Sequence, residues 1–249
     1  MPDITAEDNL NEPTPNLKRF MELGSIASRF INHKSTTVVL TRIHFENNKI
    51  YATNGHYAFI AECVMPPEFN NINISTAFFK EHLKKDCYKL EITADKKHLI
   101  MDGVESPYIL IEEQYPNMEL VIPKKHIYSA EFSKSQLEQI VKQTISECID
   151  KDKVLLIAAT DDSFPAIKIS AKHFNKIDED SKAISHPIPY SGTCGESPFF
   201  INGTFLLTIL KSLTGLMVKI QYSTLHGALM VFGVDKEVQT IIMPIKNNN

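Results

Sequence analysis

The chain has 249 residues, with 26 Lys and Arg against 30 Asp and Glu for a net charge of −4, and 43% of it is apolar. Such a composition suits one or two ordinary globular domains. It excludes a uniformly basic nucleic-acid binder but not a basic face on an acidic body, because the local field depends on where charges sit.

Residues 1–14 are acidic, polar and proline-bearing, which predicts a disordered lead rather than a signal or transit peptide. From Leu17 to Ile31, apolar residues at Leu17, Phe20, Leu23, Ala27, Phe30 and Ile31 fall at helical spacing. TTVVLTRIHFENNKIYATNGHYAFIAECV follows as two or three strands, with turns at Asn47-Asn48 and Asn54-Gly55. Ser75 suits the N-cap of a short helix reaching about Lys85, and YKLEITA, KHLIMDG and SPYILIEE read as three short strands. In the second half, Ser133 is the expected cap of a helix with Leu137, Ile140, Val141, Thr144 and Ile145 on one face. VLLIAAT and AIKISAK are strands, and 175–197 is a hydrophilic stretch holding Pro187, Pro189, Gly192 and Gly195. Asn202 caps a last helix, followed by strands MVKIQYS, GALMVFG and QTIIMPI. Asn73-Ile74-Ser75 and Asn202-Gly203-Thr204 match the glycosylation pattern but read as helix starts. No apolar run approaches the roughly 18 residues of a membrane helix.

The segment from Ile74 is echoed from Ile201: Ile74 matches Ile201, Phe79 Leu206, Leu83 Leu210, Ile92 Ile220 and Gly103 Gly233. A period of about 127 residues is too long for a solenoid and predicts a duplicated domain. Each half is helix, strands, helix, strands, an α+β domain with antiparallel sheet and two helices on one face. The expected domains are 15–125 and 126–246.

The closing pattern, FLLTILKSL then VKIQYS, ALMVFG and TIIMPIK, resembles the last domain of the bacterial DNA polymerase III beta subunit, the sliding clamp. ATNGHYAFIAE at 52–62 resembles the ATDGHRLA motif of the clamp's middle domain, and YPNMELVIP at 115–123 its FP-x4-V-x-P segment. The resemblance covers about 17–246, but the bacterial clamp has three such domains per chain and this chain two. It implies the DNA-clamp fold and a non-enzymatic ring around duplex DNA that tethers a polymerase or other clamp-binding protein. A clamp loader is a further implied partner, no cofactor is implied, and a head-to-tail trimer is the expected assembly.

A clamp needs phosphate-attracting helix faces and a groove for short peptides. Cations off the core positions are Lys18, Arg19 and Arg29 on the first helix, Lys80, Lys84 and Lys85 on the second, Lys134 and Lys142 on the third, and Lys211 on the fourth. Mobile ammonium groups suit loose, sequence-independent contact through counterion release. Interleaved Glu22, Glu81, Glu138 and Glu147 leave ordinary solvated helix faces as the alternative. The resemblance places the peptide groove at Leu40, Thr53, Gly55, His56, Ala58, Pro116 and Val121, with Ile241, Met243, Pro244 and Ile245 from the last strand. Tyr57 and Leu120 stand where the family usually has arginines. A clamp-derived module that binds peptides without encircling DNA is the alternative function.

No GxSxG, P-loop, GxGxxG or HExxH occurs. Cys194 in SGTCGES, with His186 nearby, is the one candidate nucleophile, and a lone cysteine in a Gly/Ser loop reads as inert. Cys63, Cys87, Cys148 and Cys194 lack metal-ligand spacing, which argues against zinc and for a reducing, cytoplasmic setting. His33, His44, His82, His98 and His173 show no ligand spacing either, and Asp161-Asp162 and Asp178-Glu179-Asp180 read as solvated loop charge.

Overall fold

The computed structural model describes residues 15–82, 88–110, 113–149, 151–160, 165–171, 185–195, 199–224, 227–233 and 238–245. The chain divides into two units, Met1–Gly55 with Phe59–Pro116, and His56–Ala58 with Asn117–Asn249. Their break after Pro116 comes earlier in the chain than the boundary expected from sequence.

The first unit opens with α1 (Pro15–Ala27), then β1 (Arg42–Glu46), β2 (Lys49–Thr53), β3 (Tyr57–Glu62, of which Phe59–Glu62 belong to this unit), β4 (Ile72–Ser75) and α2 (Thr76–His82). β5 (Leu90–Ile92), β6 (His98–Met101) and β7 (Val104–Ile109) complete it. β3-β2-β1-β4 are neighbours in one sheet and β5-β6-β7 form another. Asn47 and Asn48 both take positive φ, 51° and 57°, which matches the turn type whose twist suits a two-residue hairpin. The core is aromatic: Phe20 meets Phe45, Phe69 and Phe79 at 5.3–6.3 Å between ring centroids. α1 reaches α2 at Gly24, where a Cβ would overlap the Phe79 ring. α1 stops at Ala27 rather than Ile31, and Phe30 and Ile31 bury themselves from the turn that follows.

The second unit runs β8 (Tyr128–Ser133), α3 (Lys134–Glu147), β9 (Val154–Ala159), β10 (Ala166–Ala171), β11 (Ser185–Pro189), β12 (Ser191–Thr193) and β13 (Phe199–Asn202). It ends with α4 (Gly203–Ser212), β14 (Met217–Tyr222), β15 (Leu229–Phe232) and β16 (Val238–Ile242). β12-β8-β14-β15-β16 are neighbours in one sheet, and β11-β10-β9-β13 form the other. α3 packs on α4, with Gly203 letting Ile145 and Leu155 approach so closely that a Cβ would meet both at 2.8 Å.

The repeat is real in three dimensions. Ile74 lies in β4 and Ile201 in β13, each immediately before a helix, and Phe79 and Leu206 are the buried helix positions. Both units are therefore α+β with antiparallel sheets.

The Asn73-Ile74-Ser75 segment leads into a helix as expected: α2 starts at Thr76, and the Ser75 hydroxyl accepts from Ala77 N at 3.3 Å. Asn73 itself is buried in β4, where its side-chain oxygen meets His44 Nδ1 at 3.0 Å and its amide donates to the Glu113 carbonyl at 2.8 Å. Other expectations need correction. Ser133 sits in the cap position, but its hydroxyl makes no cap bond and meets Ser135 Oγ at 3.2 Å instead. Asn202 does cap, accepting from Phe205 N at 3.1 Å. Among the described residues of the stretch 175–197 are two strands, β11 and β12, which prolines and glycines hid from a propensity reading. Lys84, Lys85 and Cys87, with Asp161-Asp162, His173 and Asp178–Asp180, lie outside the described residues.

Candidate peptide groove and nucleic-acid interface

In the first unit, Leu40 lies in a 3-10 turn over Val38–Thr41, half-buried. Thr53 ends β2 and is buried, and its hydroxyl accepts from Gly55 N at 3.0 Å. Gly55 is exposed with φ +90°, a conformation that favours glycine, so the Thr53–Gly55 turn is built by local chemistry. Pro116 is exposed and follows Tyr115, whose ring stacks on His44 at 4.6 Å and 3°.

In the second unit, the backbone brings His56 and the C-terminal segment together: Met243 N donates to the His56 carbonyl at 2.8 Å. Ile245 N donates to the Phe200 carbonyl at 2.8 Å, which fixes the segment's other end. Met243, Pro244 and Ile245 are thus held as a half-buried strip, while Ile241 and Ala58 are buried beneath the surface. Val121 is exposed at the end of a 3-10 turn over Met118–Leu120 that Asn117 caps by accepting from Glu119 N at 3.1 Å. Leu120, one of the two positions where the family usually carries arginine, is 81% exposed.

Tyr57, the other such position, is nearly buried. Its ring stacks on Phe205 of α4 at 4.6 Å and 22°, and the His56 ring lies against the same Phe205 at 5.9 Å. Burial pushes the Tyr57 hydroxyl up from its ordinary pKa, opposed by its bond to Thr208. An uncharged aromatic ledge therefore stands in the second unit. Phe205 and Thr208 were missed as site residues. In the sequence Phe205 is only one more apolar position of FLLTILKSL, and the structure leaves it half-buried beside the fully buried stripe of Leu206, Ile209 and Leu210.

The cations divide by surroundings. Lys18 and Arg29 are exposed and Arg19 half-buried; α1 ends before Arg29. Lys80 is exposed with Nζ 3.5 Å from His33 Nε2, and His33 is held below its usual pKa by burial and then by the Lys80 charge. On α3, Lys134 and Lys142 share Glu138 at 4.0 and 3.9 Å. Lys211 is exposed in the last turn of α4. Glu147 is engaged by His186 at 2.9 Å and Glu81 accepts from the Tyr108 hydroxyl at 2.7 Å. The described helices and the turn after α1 thus carry a modest positive excess, part of it neutralised on α3.

Cys194 has no nucleophile's environment. Its sulfur meets the Tyr222 hydroxyl at 3.3 Å, and burial pushes the thiol pKa up, away from the reactive thiolate. A cavity of about 490 Å³ opens elsewhere, lined by Glu131, Met217, Lys219 and Phe232 among others, and none of the described residues lining it is a candidate groove or DNA-facing residue.

No protein-family model matches the sequence, and no curated protein matches it. Solved structures do. A DNA polymerase sliding clamp from Pseudomonas aeruginosa superposes with a TM-score of 0.75 at 14% identity, over 92% of this chain and 65% of that one. The DnaN sliding clamp from Bartonella birtlesii, bound to griselimycin, gives 0.77 at 14% identity over 92% and 64%. Caulobacter crescentus pol III beta gives 0.76 at 13% over 92% and 64%. The chain thus spans about two thirds of the length of these clamps, and over nearly all of its own length it has the DNA sliding-clamp fold.

Proposed function

We propose that this chain is a sliding-clamp-like processivity factor. It docks a polymerase, or another protein with a clamp-binding motif, through an apolar groove, and stays on duplex DNA by sequence-independent phosphate contacts. The observation that carries the reading is the strip Met243–Ile245 pinned between the His56 and Phe200 carbonyls, beside the Tyr57–Phe205 ledge, within a chain of clamp fold. In this reading the groove comprises Leu40, Thr53, Gly55, His56, Ala58, Pro116, Val121, Ile241, Met243, Pro244 and Ile245. Each Leu or Phe anchor buried there contributes about 1.5–3 kcal/mol. Two or three anchors, less the ordering cost, give roughly micromolar affinity, near 8 kcal/mol. The assembly is a head-to-tail homo-oligomer, a trimer of two-unit chains, with a loader as a further partner.

The groove is tested by anisotropy of a labelled peptide with Leu and Phe anchors. Met243→Ala with Pro244→Ala abolishes binding while leaving the molecular mass unchanged; unaltered affinity places the groove elsewhere. Encirclement is tested by retention on nicked circular DNA and release on linearisation. A chain that stays monomeric at tens of micromolar is not a ring. A second reading, a clamp-derived module that binds peptides without encircling DNA, is favoured by one observation: Glu138 neutralises part of the charge of both α3 lysines.

A further inference from the structure

The second unit's sheet of β8, β14, β15 and β16 has two faces. Phe132 and Ile220 line a small interior space with Leu137 of α3 and Leu206 of α4, so they point toward the helices. Alternation along each strand sends their neighbours the other way, and pairing sets those neighbours in cross-strand rows. One row is Glu131, Lys219, Phe232 and Gln239, and all four border the cavity of about 490 Å³. The next row on this face is Ser129, Gln221, Met230 and Ile241. Met230 and Ile241 are buried, whereas Phe232 is half-buried and Met217, one step further along β14, is 44% exposed. The face is thus covered at one row and open at the next.

The walls of the cavity select an uncharged, apolar occupant. Phe232 offers a ring, and Met217 a flexible thioether that adapts its shape to what it meets. Lys219 Nζ and Glu131 Oε1 pair at 2.9 Å, so no net charge faces the occupant. Gln221 and Gln239 add amides that both donate and accept, which suits a peptide backbone. The volume falls in the range of about 300–1,000 Å³ typical of sites that enclose small ligands. A large side chain and the backbone leading to it fit within it.

The cavity adjoins the proposed groove along β16. Gln239 and Ile241 share one face, and Met243, which opens the half-buried strip, follows two residues later. Gln239 is roughly 7 Å from Ile241 along the strand, and Phe232 and Lys219 lie one and two strand spacings of about 4.8 Å to the side. The gap is therefore about 10 Å, which three or four extended residues cross. We infer that this cavity takes a second anchor of the peptide bound at the groove, a Phe- or Trp-sized side chain three or four residues beyond the groove-binding motif. The inference rests on the groove reading and deepens it: the partner presents a longer peptide, with an apolar residue set apart from the motif.

The test measures, on the full-length protein, the anisotropy of a labelled peptide with Leu and Phe anchors, alone and extended at either end by Ser-Gly-Ser-Phe or Ser-Gly-Ser-Ser. At one end the Phe extension is expected to bind about tenfold tighter than its Ser counterpart. Phe232→Ala and Met217→Ser each remove that gain and leave the affinity of the unextended peptide unchanged, which also shows that the variants are folded. Binding of the unextended peptide with no gain from Phe at either end overturns the inference and spares the groove. So does a gain that survives both substitutions. Binding of the Phe-extended peptide alone, lost in Phe232→Ala, keeps the cavity and refutes the groove, whereas binding of neither refutes both. A fall in molecular mass in Phe232→Ala, read by light scattering, assigns the cavity to a second copy of this chain and overturns the inference.

Discussion

Replacing Gly24 with alanine tests whether the approach of α1 to α2 holds the first unit together. Alanine in a helix interior is favoured over glycine by about 1 kcal/mol, so on propensity alone the variant is more stable. The structure reverses the sign. A Cβ at Gly24 would overlap three atoms of the Phe79 ring, the farthest of them, Cζ, at 2.6 Å. Phe79 has no room to retreat, since it is fully buried between Phe20 at 5.3 Å and Phe78 at 5.3 Å. Overpacking of this kind costs about 1–3 kcal/mol and occasionally more. Taking the upper end, because the ring is held on two sides, the net loss is about 2 kcal/mol. At about 4 °C per kcal/mol for a unit of this size, the melting temperature falls by ~8 °C. Two-unit chains unfold in more than one step, so urea unfolding is best paired with hydrogen exchange of the α1 and α2 amides. Gly24→Ala combined with Phe79→Leu is expected to lose less than the sum of the two single changes, by 1 kcal/mol or more. A Gly24→Ala variant as stable as the wild type refutes the packing argument.

Burial holds the His44 imidazole below its usual pKa, despite its bond to Asn73. The unfolded chain therefore binds a proton at higher pH than the folded one. His44's contribution to stability is complete above about pH 6.5 and lost as pH falls through the lowered folded value. His44→Gln should flatten the acid side of the first unit's stability profile, and an unchanged profile removes His44 as its cause. Glu138→Gln releases both Lys134 and Lys142 and should tighten DNA binding with a steeper salt dependence, each added phosphate contact contributing a slope of about −0.9; identical salt titrations would show that α3 does not face DNA. Asn202→Ala removes the cap on Phe205 N and the bond to the Asp152 carbonyl at 2.7 Å, and should cost about 1–2 kcal/mol in urea unfolding. A loss below 0.5 kcal/mol would show the cap to be replaced by water.

The sequence alone determined the duplication and the α+β class, because both follow from local periodicity. Ile74 and Ile201, Phe79 and Leu206 repeat wherever a strand passes into a helix whose apolar side must be buried. Asn47-Asn48 and Asn54-Gly55 were legible as turns for the same reason, since positive φ is a property of those residues themselves. Asn202 was legible as a cap, while Ser133, equally suitable by type, turned its hydroxyl to Ser135. Side-chain direction is decided by neighbours, not by residue type. Only the tertiary structure showed that Asn73 is a buried partner of His44, and that Phe205 lies under Tyr57 where an arginine was the family's habit. It also decided that Pro187 and Pro189 belong to a strand. A proline's missing donor excludes it from a ladder only on the side that faces a partner, and which side that is depends on register, a relation between distant segments that no local pattern carries.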